Sequence, residues 1–259
     1  MIYGNQTWLE IDDIDKEQAV VIVPLAALEQ HGHHLPLLTD TYITTAIAEA
    51  VERQLPQQAL LTPTLWCGAS DHHLDFPGTI SLPNSIYADV VQSICTSILS
   101  AGFEKILLLN GHGGNVAPGT AAITELVADD DDCDDSYIAF ASFWVVAADE
   151  LRPEKHGMTQ DGFSHACEYE TSMMLHLHGE LVALSKAQGN VMKEYDSVPG
   201  LAVASRFHRR TATGAMGSPE LGTAEKGESL VAAGVAKVVE LVQKMSPWPT
   251  KPVLGPLSN

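Results

Sequence analysis

Positive charge and cysteine are both scarce in this chain, and long apolar runs are missing. Lys and Arg number 14 against 33 Asp and Glu, a formal net charge of −19 over 259 residues. Nucleic-acid binding depends mainly on Lys and Arg neutralising phosphates, and the one tight basic cluster is Arg206, Arg209 and Arg210. The expectation is no nucleic-acid partner and no grip on an anionic membrane. No stretch approaches the ~20 apolar residues of a membrane span. The opening MIYGNQTWLEIDD has no basic start and no long apolar run, so it does not read as a signal peptide. Cys67, Cys95, Cys133 and Cys167 are scattered without a CxxC pair. They read as reduced thiols of a cytoplasmic protein, not as a disulfide frame or a thiolate zinc site.

What is present is an ordinary globular composition, 45% hydrophobic. The length and composition predict a single domain over 1–259 with a real core, closing in a proline-rich surface tail at 246–259. Part of the acidity is local: 129–135 reads DDDDCDD. Adjacent carboxylates repel one another, so this run reads as a solvated loop rather than a cation site.

Apolar runs alternate with helical patterns. Val20–Leu25 (VVIVPL) and Lys105–Leu109 (KILLL) read as strands buried on both faces. Ala59–Trp66 and Tyr137–Val146 are further strand candidates. Helical periodicity marks Thr41–Leu55, Ser85–Leu99, Val116–Val127, His165–Leu177 and 223–245. Strand, loop and helix in repetition predict an α/β layered domain with a largely parallel sheet. The stretches 147–164 and 189–222 carry no period and read as long loops over one rim of the sheet, where function often resides.

The unusual polar residues follow the strands. The first strand runs into Glu29, Gln30, His31 and, further on, Asp40. The third runs into NGHGGN at Asn110–Asn115. Ligands in open α/β sheets bind beyond the carboxyl ends of the strands, so these loops meet at one edge if their strands are neighbours. Glu29, His31, Asp40 and His112 offer oxygen and imidazole donors without a thiolate, a set that suits zinc, manganese or iron(II). A third cluster, HACEYETS, spans His165–Ser172. On one helix Glu170 would lie about 140° round from His165, so the two reach one pocket only if His165 precedes the helix. A fourth, GASDHHLDFPGT, spans Gly68–Thr79. His33, His72, His176 and His178 read as surface or packing residues.

These pieces together resemble the creatininase (creatinine amidohydrolase) family. The matching motifs are E-Q-H-G-x-H-L-P-x-x-x-D at Glu29–Asp40, G-x-S-x-x-H-x-x-F-P-G-T at Gly68–Thr79, N-G-H-G-G-N at Asn110–Asn115 and H-A-x-x-x-E-T-S at His165–Ser172. A fifth, G-x-x-G-x-P…A-x-x-x-G, lies at Gly214–Gly227. The resemblance implies a three-layer α/β/α fold and a two-metal hydrolase site. It makes Glu29, His31, Asp40, His112 and Glu170 the metal ligands, with Asp40 bridging, and His165 the proton-transfer group. The cofactors it implies are two divalent ions, Zn²⁺ and/or Mn²⁺, with Fe²⁺ as an alternative. It also implies a small-molecule amide substrate and a homo-oligomer, often a hexamer. Two departures stand out. Creatinine hydrolases of the family carry a Glu two residues after the NGH histidine, where this chain has Gly114. They also enclose creatinine with tryptophans, for which the chain offers Trp144 but has Phe163 just before His165. The expected activity is therefore C–N hydrolysis of a small cyclic amide or formamide. The alternatives are a peptidase for precursor-peptide maturation and a non-catalytic metal-stabilised oligomer.

Overall fold

The computed structural model describes residues 1–129, 135–189 and 203–249. Most of the acidic run at 129–135, much of the 189–222 loop and most of the proline-rich tail lie outside the described residues. The strands are β1 (Val20–Leu25), β2 (Ala59–Leu61), β3 (Lys105–Asn110) and β4 (Tyr137–Ser142), and the helices are α1 (Trp8–Asp12), α2 (Thr39–Gln54), α3 (Asn84–Ser100), α4 (Val116–Asp129), α5 (Phe143–Val146), α6 (Pro153–His156), α7 (Glu168–His178) and α8 (Ala224–Met245).

The strands form one parallel sheet in the order β2-β1-β3-β4. Alternation along β1 and β3 divides the core. Val20, Ile22, Leu107 and Leu109 pack with Ile43, Ile47 and Val51 of α2, Met173 of α7 and Leu230, Val235 and Val238 of α8. Val21, Val23, Leu25, Ile106 and Leu108 pack on the other face with Tyr87, Val91 and Cys95 of α3 and Ala122 and Leu126 of α4. This is the three-layer α/β/α architecture that the family resemblance implied, with the parallel sheet read from the residues. The chain steps from β1 to β2 on one side and then returns past β1 to β3. The order reverses between β1 and β3, and the crevice beyond their carboxyl ends is where such sheets bind ligands.

Two strands are shorter than their apolar patterns predicted. β2 ends at Leu61 rather than Trp66, because the next N–H of β1 that would face it belongs to Pro24, which has none; contact resumes beyond the strand with Leu65 N–H to Pro24 O and Ala26 N–H to Leu65 O. β4 ends at Ser142, and the apolar FWVV that follows is the short helix α5. A short apolar run does not distinguish strand from helix by itself. Among the described residues, no helix is long and apolar enough to cross a membrane.

Candidate metal centre

Three loops converge on the crevice between β1 and β3. Asn110, at the end of β3, pins the third one. Its Nδ2 donates to the His112 carbonyl at 2.8 Å and to Ser142 Oγ at 3.0 Å, and its Oδ1 accepts from His112 N at 3.1 Å. Asn115 ties that loop to the others, donating to Ala26 O and accepting from Ala69 N. The loop after β1 is held by Gln30, whose backbone N–H donates to Thr79 Oγ1 at 3.1 Å.

Glu29, His31, Asp40, His112, His165 and Glu170 are gathered into one site. His31 Nε2 lies 3.0 Å from Asp40 Oδ1, and His112 Nδ1 lies 3.1 Å from Asp40 Oδ2 and 3.4 Å from Glu29 Oε1. Asp40 thus presents one oxygen to each imidazole. Glu170 Oε2 is 3.8 Å from His31 Nε2. His165 does precede the helix: α7 starts at Glu168, not at His165 as its pattern suggested. Ala166, between them, takes φ +49°, and its N–H donates to Glu170 Oε2. That bend carries His165 Nδ1 to 3.4 Å from Glu29 Oε1.

Hydrogen bonds assign the imidazole tautomers. His31 Nδ1–H donates to the Glu29 carbonyl at 3.1 Å, and His112 Nε2–H to the Ala69 carbonyl at 3.2 Å. His165 Nε2–H donates to the Gln30 carbonyl at 2.8 Å. Each ring therefore turns its other nitrogen toward the carboxylates. Metal-binding histidines are oriented in this way.

Burial and neighbouring charges shift the protonation of every ionisable group in the site. Burial would push His31 down, but Asp40, Glu170 and Glu29 push its pKa up to about 10. His112 is raised in the same way against burial, by Glu29 and Asp40. Burial raises Glu170, and with Asp40 and Glu29 pushes it up to about 8 despite His31. Burial also opposes ionisation of Glu29, yet His112, His73 and His165 hold it well below the ordinary carboxylate range. In His165 and His73 burial dominates and lowers the pKa, in His73 to about 3.

Glu29 Oε2 is buried without a hydrogen-bond partner, while His31 Nε2 and Asp40 have only the imidazole–carboxylate contacts given above. Buried polar atoms are almost always satisfied, so an orphaned carboxylate oxygen beside this convergent set of carboxylates and imidazoles fits a ligand. Three groups have donor atoms within 4.8 Å of one another: His31, Asp40 and Glu170; Glu29, His72 and His112; and Glu29, His31 and His165. Oxygen and nitrogen sets of this kind suit a divalent ion.

Several contributors were not singled out from sequence. Gln30 Nε2 sits 2.9 Å from His73 Nδ1, 3.0 Å from His165 Nε2 and 3.1 Å from the Gly214 carbonyl. Gly214 has φ +81°, and a Cβ there would fall 2.0 Å from Gln30 Oε1, which explains the glycine of the fifth motif. Phe207 stacks on His73 at 4.2 Å and meets His165 edge-on at 4.6 Å. His72 lines the pocket instead of the surface, and burial lowers its pKa. His33 and His176 are exposed, as read from sequence. Glu168 stays outside the site: its carboxylate accepts from Thr159 N and Gln160 N and pairs with Lys226 at 2.6 Å.

The cavity over these groups measures about 450 Å³ and is walled by Trp144, Phe163, Phe207, Arg210 and Met216. Trp144 and Phe163 stack at 5.8 Å. The two aperiodic stretches thus supply Phe163, Phe207, Arg210 and Met216 to the pocket walls, and α5 supplies Trp144. Residues 4–242 match the family described as creatininase, creatinine amidohydrolase. The chain belongs to the creatininase family. A creatinine amidohydrolase of Pseudomonas putida is 28% identical over 262 residues, covering 94% of this chain and 96% of that protein. A mycofactocin precursor peptide peptidase of Mycolicibacterium smegmatis is 30% identical over 238 residues, covering 88% and 86%. A mutant creatininase of Zn–Zn type superposes with a TM-score of 0.79 at 26% identity, covering 95% of this chain and 98% of that one. Creatininase-family members are hydrolases, and the five creatininase motifs of this chain are the segments that build the pocket and its supports.

Proposed function

We propose that the chain is a two-metal amide hydrolase that cleaves a C–N bond of a small cyclic amide or formamide with an activated water. The observation that carries this reading is Asp40, whose two oxygens face His31 and His112 at 3.0 and 3.1 Å. Glu29, His112 and Asp40 would hold one ion, and His31, Glu170 and Asp40 the other, as Zn²⁺ or Mn²⁺, with Fe²⁺ also suited to the donors. Divalent ions held there supply Lewis acidity, which acidifies water and polarises an amide carbonyl.

The rest falls to the chain's own residues. His165 moves the proton. Its Nε2–H is committed to the Gln30 carbonyl, so Nδ1 is the atom that accepts a proton and returns it to the leaving nitrogen. The Gln30 carbonyl and Phe207 hold that ring in place. Trp144, Phe163 and Phe207 present apolar walls that orient a small flat amide and exclude bulk water. The test is a substrate panel of creatinine, formamides and short peptides with Zn²⁺- and Mn²⁺-loaded protein. Glu29→Ala and His112→Ala should lose metal and activity together, and retention of both in either variant refutes the reading.

A second reading keeps the chemistry and changes the substrate to a peptide bond. Supporting it are the mycofactocin precursor peptide peptidase relative and Gly114, which departs from the creatinine hydrolase pattern. In the same panel, turnover of peptides without formamides decides for it.

A further inference from the structure

We propose that His72 is a metal ligand in this chain, reaching the ion beside Glu29 and His112 from a third loop. The proposal rests on the two-metal reading and deepens it with a donor from a different loop.

His72 belongs to the Gly68–Thr79 loop, not to either strand end. One of its ring nitrogens, a Glu29 oxygen and a His112 nitrogen lie within 4.8 Å of one another. Its ring stacks on that of His112 at 5.9 Å and 19°. Among the described residues, no protein group hydrogen-bonds to the His72 ring. Across from it, Glu29 Oε2 is buried and likewise unpartnered. An orphaned buried carboxylate oxygen costs free energy unless something binds it.

The neighbouring histidine is already committed. His73 Nδ1 is 2.9 Å from Gln30 Nε2, its Nε2 is 3.4 Å from Glu29 Oε1, and its face lies against Phe207. Of the adjacent pair, His72 alone keeps its ring nitrogens free for an ion.

Gly114 explains why the donor arrives from this loop. A Cβ at 114 would fall 2.1 Å from Ala69 O, 2.4 Å from His112 Nε2 and 2.9 Å from His72 Cε1. The 69–72 backbone and the His72 ring thus fill the space that a side chain at 114 would use. The consequence is chemical: an imidazole donor is softer than a carboxylate and favours Zn²⁺ over Mn²⁺ at that position.

The test is metal binding, without reference to turnover. Chelated protein is titrated with Zn²⁺, Mn²⁺ and Co²⁺, with stoichiometry by elemental analysis after dialysis and Co²⁺ visible spectra. Wild type should retain two Zn²⁺ per chain. His72→Ala should keep one and bind the second more weakly by more than the about 10–100-fold that losing a supporting partner costs, with a changed Co²⁺ spectrum. His33→Ala, at an exposed histidine, should behave as wild type. His72→Asp should restore the second ion and shift its preference toward Mn²⁺. Circular dichroism checks that each variant is folded. Retention of two Zn²⁺ at wild-type affinity with an unchanged Co²⁺ spectrum in His72→Ala overturns the proposal. So does loss of both ions from folded His72→Ala. A wild type that binds fewer than two ions fails the two-metal reading itself, and this proposal with it.

Discussion

The Nδ1–H of His31 donates to the carbonyl oxygen of Glu29, two residues before it, at 3.1 Å. The same turn of chain therefore delivers a carboxylate and fixes an imidazole, with His31 Nε2 turned to Asp40. His112 repeats the arrangement, its Nε2–H held by the Ala69 carbonyl and its Nδ1 facing Asp40. Backbone carbonyls set both tautomers, so the donor geometry is built before any ion arrives.

The metal-free protein should lose stability as pH rises. Glu170 is raised to about 8 and His31 to about 10. A raised folded pKa contributes stability that is present below the unfolded pKa and lost as pH climbs through the folded one. For Glu170 that window runs from 4.5 to about 8, and for His31 from 6.5 to about 10. Glu29 and Asp40, whose pKa values are lowered, change only on the acid side. Calorimetry of chelated protein should show Tm falling between pH 7 and 10. Metal-loaded protein should escape this, because ion binding displaces those protons and strengthens with pH.

His165→Ala should separate chemistry from binding. Turnover should fall by about 10²–10⁴, while both ions remain, because His165 is the proposed proton carrier and not one of the proposed ligands. Metal loss equal to that of Glu29→Ala would make it a ligand instead.

Gln30→Leu should act through the histidines that it holds. With its amide gone, His73 Nδ1 loses its donor and Gly32 N its acceptor, and His73 packs against the His165 ring at 4.5 Å. The expected result is a kcat lower by about 10–100-fold, with metal content kept and the limb of the pH–rate profile assigned to His165 displaced. An unchanged profile would limit Gln30 to packing.

Much of the sheet was legible in the residues. VVIVPL and KILLL are apolar on both faces because β1 and β3 are the central strands, and the chemistry followed directly after each. His165 and Glu170 face one pocket because Ala166 bends the chain before α7. FWVV was not legible, since four apolar residues suit strand and helix alike. His72, His73 and Gln30 were not legible as site residues for another reason. Their roles depend on how the Gly68–Thr79 loop crosses the end of β3, a long-range packing that no local spacing encodes. Phe207 sits in an aperiodic stretch for which pattern offers no prediction at all.

Lys226→Met should destabilise the fold without touching the site. Glu168 is fully buried and pairs with Lys226 at 2.6 Å. Removing one partner of a fully buried pair costs about 3–5 kcal/mol, and the partial exposure of Lys226 together with two backbone donors to Glu168 lowers this to about 2 kcal/mol. Urea unfolding measures it, and adding Glu168→Gln should recover most of the loss.

The most direct measurement of the account is the metal content of wild type and Asp40→Asn, dialysed side by side. With Asp40 as the shared ligand, wild type retains two divalent ions per chain and the folded Asp40→Asn protein loses affinity at both positions together. Two ions held equally well by wild type and Asp40→Asn, or a wild type that retains none after loading with Zn²⁺ or Mn²⁺, would contradict it.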